Sequence, residues 1–285
     1  MAINAKSNNT TKTLALTNDI SNPNLLINPD FKINQRGQNT YSISPASCYT
    51  VDRWKLWNGT LTVNSDGTVT YSASSSSSLV QYLENPCTEE CYASVYVTSI
   101  TGTFNLYTED SSGKYTGDTK LKYGLNYVRF TGCKTFAIGI NNGNGSITLK
   151  YAKLEKGSNV TQFIEPDPAT ELIKCQRYYL IASHPVVAMC MNYTNPTMLF
   201  VECMGLKNMR TSPTTIVTGS NKTTYLRYDG IATEGLSIDT SKVSANYDTG
   251  MYKIQFKKGT IPNAQNKPIA IDINDVRFRF DAEIY

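Results

Sequence analysis

The sequence holds few residues that could do covalent chemistry. Its single histidine, His184, stands directly before Pro185. An acyl-transfer triad needs such an imidazole beside a nucleophile and an orienting carboxylate. No Gly-x-Ser-x-Gly elbow is present to present that nucleophile, so His184 reads as a structural loop residue. Cys87-Thr88-Glu89-Glu90-Cys91 is the one close cysteine pair. Two thiolates can share a zinc ion, but a closed site needs four ligands. Cys48 and Cys133 complete it only if the fold gathers them; a disulfide and a plain loop–strand junction are the other readings. Glycoside hydrolysis needs two carboxyl groups facing a sugar, roughly 5–10 Å apart. Glu84, Glu89, Glu90, Glu109 and Asp110 are the candidates, yet nothing in their spacing pairs them. Solvated loop charge is the preferred reading. Asn64-Ser65-Asp66-Gly67 lacks the further acids of a calcium cage and reads as a turn. Gly143-Asn144-Gly145 lacks the lysine and the following helix of a phosphate loop. No catalytic residue, metal or cofactor is expected.

What remains is recognition. The chain has 19 Tyr against 2 Trp and 9 Phe. Tyrosine can bury its ring in a sheet and keep its hydroxyl wet. Sugar binding uses aromatic faces to stack on pyranose rings, with amides and hydroxyls fixing orientation. Trp57, Tyr71, Tyr107, Tyr225 and Tyr228 lie near expected strand ends or turns and are the candidate glycan or partner contacts. For each tyrosine a core position is the competing reading, since tyrosine is also a good strand residue. Trp54 is assigned to the core.

Those residues must be held by strands. At 285 residues the chain can hold two domains, or one large β domain. Charged residues are only 18%, while polar turn formers abound. That profile predicts an all-β protein. Residues 24–165 carry short strands at Leu25–Phe31, Val51–Trp57, Leu61–Val63, Thr68–Tyr71, Leu79–Leu83, Tyr92–Ile100, Thr103–Thr108, Asn126–Phe130, Thr135–Ile140 and Ile147–Ala152. Ser74–Ser78 reads as a solvated loop. This spacing predicts a jelly-roll sandwich. Pro166 and Pro168 then stop regular structure. A helix is expected over 169–181, because Leu172, Ile173, Cys175, Gln176 and Tyr179 share one helical face. Strands follow to the end, the clearest being Val276–Ile284. The expected architecture is thus two β-sandwich, jelly-roll-like domains, 24–165 and 166–285, with one short helix at the junction. Residues 1–23 are too polar to form a core, and read as an anchoring arm or a disordered terminus.

The net charge of +4 is spread out and gives no case for nucleic acid. No run reaches the ~20 apolar residues that span a bilayer, so no membrane insertion is expected. The 7 cysteines are odd in number and no secretion pattern precedes them. Folding in a reducing cytoplasm, with mostly free thiols, is the expectation.

The joint phrase KLEKGSNVTQFIEPDPATELIKCQRYY, residues 153–179, resembles the hinge of bacteriophage tail-fibre and virion appendage proteins. Upstream, Asn24-Leu25-Leu26-Ile27-Asn28-Pro29-Asp30-Phe31, Gln35-Arg36-Gly37 and Tyr49-Thr50-Val51-Asp52-Arg53-Trp54 resemble the opening of that family's jelly roll. Met209-Arg210-Thr211-Ser212-Pro213-Thr214 and Phe280-Asp281-Ala282-Glu283-Ile284 follow in the same order. The resemblance implies a virion protein: a tail fibre, spike or head fibre, assembled in the host cytoplasm and attached to other virion proteins through its arm. It implies a homo-oligomer, most simply a trimer, and a carbohydrate-binding-module-like first domain that adheres to surface glycans. The alternatives are a polysaccharide-degrading appendage and a structural decoration without a ligand. Depolymerising appendages usually carry a long β-helix with repeated turns, which is absent here.

Overall fold

Alternation of apolar and polar residues builds an antiparallel, mostly β chain. The computed structural model describes residues 4–7, 10–13, 21–109, 115–183, 187–192, 198–218, 223–228, 231–246, 248–255, 268–273 and 277–284. The chain divides into two units, Met1–Leu172 and Ile173–Tyr285, each with its own apolar core.

In the first unit a small hairpin pairs β1 (Asn4–Ser7) with β2 (Thr10–Thr13). The main body is β3 (Thr40–Tyr49), β4 (Lys55–Val63), β5 (Val69–Ala73), β6 (Ser77–Thr101), β7 (Asn105–Glu109), β8 (Tyr115–Lys120), β9 (Gly124–Ile140) and β10 (Gly145–Lys156). Their order is β3-β4-β5-β10-β6-β9-β7-β8, with β4 also paired to β6. The 25-residue β6 makes this a sandwich. Its first half pairs with β4 and the end of β9; its second half pairs with β10 and the start of β9. Register shifts between Tyr82 and Cys87, and between Cys87 and Glu90, mark where the ribbon turns from one layer to the other. β4 passes from one layer to the other at Asn58 and Gly59, both at positive φ and beside the opening of β6. A side chain on Gly59 would come within 2.8 Å of the Ser72 carbonyl, so only glycine fits there. Leu56, Leu61, Val69, Leu79, Val95, Phe136, Ile138, Ile147 and Leu149 fill the space between the layers.

The opening phrase of this unit is not a strand. Residues 25–31 form bends and turns, and Asn28 and Phe31 take positive φ. Asn28 is fully buried and works as a hub. Its side chain donates to the Ile33 and Asp52 carbonyls and accepts the Ile33 N–H. Its own N–H donates to Glu171, and its carbonyl accepts the Trp54 indole. Asp52, also buried, holds the Gln35 N–H and the Arg36 guanidinium. The phrase therefore encodes hydrogen bonds that replace a ladder. The expected 51–57 strand begins only at Lys55, because Arg53 is at positive φ. The serine run is a loop only in part: Ser77 and Ser78 open β6.

The nine-residue helix α1 (Pro168–Gln176) ends before the expected residue 181, since Tyr179 already starts a strand. Asp167 caps it by accepting the Thr170 N–H.

In the second unit the strands are β11 (Tyr179–Ser183), β12 (Val187–Asn192), β13 (Met198–Glu202), β14 (Thr214–Thr218), β15 (Thr223–Tyr228), β16 (Ile231–Ser237), β17 (Ser244–Asn246), β18 (Met251–Gln255), β19 (Pro268–Ile273) and β20 (Arg277–Asp281). They form a sheet β11-β20-β14 and a sheet β16-β15-β19-β12-β13-β18-β17. Leu180, Val201, Tyr252, Ile254, Phe278 and Phe280 are buried in its core. Three of the resembling phrases meet here. Arg210 donates its N–H to the Arg177 carbonyl and its guanidinium to the Ala282 and Glu283 carbonyls, while Ala282 N–H donates to Tyr178.

Burial pushes the Tyr41 phenol up to about 12, and raises Tyr71 and Tyr252 as well. Unfolded tyrosines ionise near 10. The folded state holds these protons longer, so their stabilising contribution is complete below about pH 10 and fades as pH climbs through the folded values. Alkaline titration followed by phenolate absorbance and circular dichroism is expected to show late tyrosines ionising together with loss of the fold. Independent ionisation near 10, with the fold intact, would contradict this.

Candidate aromatic groove

The outer face of the β4-β6-β9-β7 layer carries the side chains that alternate with the core. On β4, Lys55 and Trp57 flank inward Leu56. On β6, Ser78, Val80 and Tyr82 flank Leu79 and Gln81. On β9, Thr135, Ala137 and Gly139 flank Phe136 and Ile138. On β7, Tyr107 and Glu109 flank Leu106 and Thr108. The register sets them in rows. Trp57 lies opposite Ser78, Ser78 opposite Gly139, Tyr82 opposite Thr135, and Tyr107 opposite Ala137. Small residues thus make a floor along the middle strands. Trp57 and Tyr82 stand on one side; Tyr107 and Tyr115 stand on the other. The result is a groove of about 430 Å³, adjoining a second hollow of about 490 Å³ through Tyr107, Tyr115 and Asn141.

The walls are braced. The Tyr107 and Tyr115 rings meet edge to face at 5.6 Å. The Tyr82 phenol interacts with the Trp57 side chain, and the Tyr107 phenol with Ser78. Lys55 runs beneath one wall, its Nζ 4.8 Å from the Trp57 ring centre and 5.7 Å from those of Tyr49 and Tyr82. A cation so close to ring faces holds them in place. Burial raises the Tyr82 and Tyr107 phenols above their ordinary value, so both present neutral hydroxyls. Trp57 is 43% exposed and Tyr115 68%, which leaves ring surface for a ligand. Glu109 lies in the groove with Lys134 3.4 Å away, and Asp118 lines the adjoining hollow.

Gly139 matters to this shape. A Cβ there would sit 2.9 Å from the Tyr107 ring and 3.0 Å from the Ser77 carbonyl. Its absence lets Tyr107 lie across the floor. Gly139→Ala is expected to lift Tyr107 and lower affinity for any groove ligand by about tenfold, or ~1.4 kcal/mol. Comparing ligand titrations with thermal melts of the same variant checks this; unchanged affinity in a folded variant would contradict it.

Of the sequence-predicted contacts, Trp57 and Tyr107 line the groove together. Tyr71 does not. It is fully buried, with its hydroxyl donating to Ser77 Oγ and its ring edge-on to Phe104. It offers a ligand no surface, and its place is the core. Tyr225 and Tyr228 lie on β15, far along the chain in the second unit, and their side chains are outside the described residues. His184 and Asp110 are also outside them. Trp54 is buried, as expected. Tyr82 and Tyr115 were missed. Tyr82 alternates with Gln81 and Leu83, a pattern that marks it as outward once the strand is recognised.

The cysteines sit elsewhere. Cys87 is inside β6, not at a loop junction, and lies directly opposite Cys133 on β9. Cys91 interacts with Cys133, whose sulfur takes the Thr108 hydroxyl at 2.9 Å. Their mutual interaction raises the Cys91 thiol and lowers that of Cys133. All three are buried, and Cys48 is not part of this group in the hydrogen-bond network. Among the described residues no cluster of His, Cys, Asp and Glu could hold a metal ion.

No protein-family pattern matches the chain, and no curated protein is similar to it. Among solved structures, the chain is similar to the N-terminal CBM22-1–CBM22-2 tandem domain of Paenibacillus barcinonensis Xyn10C, at 9% identity and a TM-score of 0.29. The match covers 92% of this chain and 98% of that one. A likeness of that strength supports no conclusion about ligand or activity.

Proposed function

We propose that this chain binds glycans through the groove between Trp57–Tyr82 and Tyr107–Tyr115, and does so as a non-enzymatic adhesive subunit of a bacteriophage particle. The observation that carries the binding reading is the pair of facing aromatic walls over a floor of small residues. Pyranose rings stack on aromatic faces, and neutral hydroxyls and amides fix their orientation. Ser78, Asn58, Asn141 and the three groove phenols supply those polar groups. The virion placement is supported by the ordered phrases from Asn24 to Ile284 that resemble tail-fibre and appendage proteins. In this reading residues 1–23 anchor the subunit to other virion proteins, and copies assemble as a trimer.

A glycan array probed with the full chain tests the binding reading. Retention of a defined set of glycans is the expected result, with no release of new reducing ends on prolonged incubation. An empty array would end the adhesive reading, and release of reducing ends would replace it with hydrolysis. Deleting residues 1–20, which keeps Ser21 and Asn22 in place over Lys153, is expected to prevent particle attachment while both units stay folded. Normal decoration by the truncated chain would remove the anchoring role.

A further inference from the structure

The second face of the sandwich carries a cleft that the groove does not explain. On the β10-β6 layer, Tyr96 and Tyr151 are cross-strand partners with ring centres 5.5 Å apart. After β10 the chain folds back and lays Phe163 flat on Tyr151, at 4.1 Å and 6°. These rings form one wall of a cleft of about 490 Å³. Its rim comes from two distant places. Asp30 and Lys32 belong to the opening phrase; Phe163 and Glu165 belong to the joint phrase. Lys32 bridges Asp30, at 3.4 Å, and Glu165. Lys150 stands over Tyr96, 6.0 Å from its ring centre. Asp66 and Gln162 complete the rim.

The buried members of these phrases already have roles in the fold. Asn28 and Phe31 sit in the opening turn, and Lys153 and Glu155 lie beneath the returning tail. Lys32, Phe163 and Glu165 are left facing the solvent around one concavity.

We propose that this cleft is a second saccharide site, for the neutral pyranose residues of the glycan class that the groove takes; it rests on the glycan-binding reading above. The charge on its rim argues for a neutral ligand. Asp30, Asp66 and Glu165 outnumber Lys32 and Lys150, so a phosphate or sulfate would meet net repulsion. Fixed acceptors and donors together, beside an aromatic wall, match a ring of hydroxyls. Two sites on opposite layers of one unit would let a particle hold one polysaccharide at several points, and multiply affinity by avidity.

Native mass spectrometry of the full chain with hexose and N-acetylhexosamine tetrasaccharides counts the sites. The expected wild-type count is two saccharides per chain. Trp57→Ala is expected to leave one, and Tyr96→Ala with Lys150→Ala to leave the other. The combined variant is expected to bind none. Lys150→Glu alone, at an exposed position, guards against misfolding of the double change and is expected to weaken the second site at least fivefold. A maximum of one saccharide per chain, sensitive only to Trp57→Ala, would overturn the second site while sparing the groove. Loss of oligomer mass in Tyr96→Ala with Lys150→Ala, at unchanged saccharide count, would assign the cleft to a contact between copies and also overturn it. No saccharide bound at all would remove both sites.

Discussion

Lys153→Ala is expected to destabilise the first unit by roughly 3–5 kcal/mol, the range for stranding one partner of a buried ion pair. Lys153 and Glu155 lie 3.0 Å apart with side chains 2% and 1% exposed. Both point outward from β10, but the chain returning after residue 157 and the segment entering at residue 21 cover them. Lys153 Nζ donates to Ser21 Oγ, Thr161 Oγ1 and the Gln162 carbonyl. Glu155 accepts the Thr161 N–H at 2.8 Å and the Thr161 hydroxyl. Without the ammonium, the carboxylate stays buried with its charge uncompensated, and the clasp over both ends of the unit loosens. Glu155→Ala is expected to cost a similar amount. Lys153→Met combined with Glu155→Leu is expected to recover part of the loss, because an apolar pair of similar volume avoids the desolvation cost. Urea unfolding of the full chain measures all three. A cost below about 1 kcal/mol for Lys153→Ala would show that the pair does not close the unit.

The second large effect concerns the groove. Trp57→Ala and Tyr107→Ala are each expected to weaken glycan binding by ten- to a hundredfold, about 1.4–2.8 kcal/mol. The two changes together should remove measurable binding at the groove and leave only the saccharide held at the Tyr96–Tyr151 cleft. Stability should fall little for Trp57→Ala, since that ring is already 43% exposed. Tyr71→Phe is the control. It removes a buried hydroxyl bonded to Ser77 beneath the groove and takes away no aromatic wall, so it should lower the melting temperature and leave affinity near wild type. Calorimetric titration paired with thermal melts separates these outcomes. Affinity unchanged in both groove variants would move the binding site elsewhere.

Period-2 alternation made much of this fold legible. Asn126–Phe130 and Ile147–Ala152 alternate because one face is core and the other is not, and both stretches are strand. The pattern failed where side chains replace ladder partners. Leu25–Phe31 reads as a strand, yet the side chains of Asn24, Gln81, Glu171 and Trp54 take its backbone bonds. It failed again at corners. β6 reads as two strands around a cysteine loop, because its bulges reset the phase while the chain keeps pairing. β3 was hidden by Pro45 and by its serines, which a strand tolerates near an edge.

The site was half legible for a related reason. Alternation says which residues share a face, but not which face is wet. Trp57 and Tyr107 line the groove; Tyr71 carried both a contact and a core reading, and the core reading holds, since Val69 and Tyr71 both face the core. Tyr115 lies within the stretch Asp110–Gly117, which reads as a turn, so nothing marked it as a wall. Buried polar residues were equally opaque. Asn28, Asp52, Lys153 and Glu155 look in sequence like surface groups, and only the fold shows them as internal ties.

Tryptophan emission tests the central claim most directly. The chain has 2 Trp. Trp54 is sealed in the core and Trp57 lies on the groove rim, so a ligand can perturb only the second. Titration of the full chain with an array-selected oligosaccharide should give a saturable change in emission, and Trp57→Phe should abolish that change. A saccharide that binds with Trp57 emission unaltered, or an equal response in Trp57→Phe, would contradict the groove as the binding site.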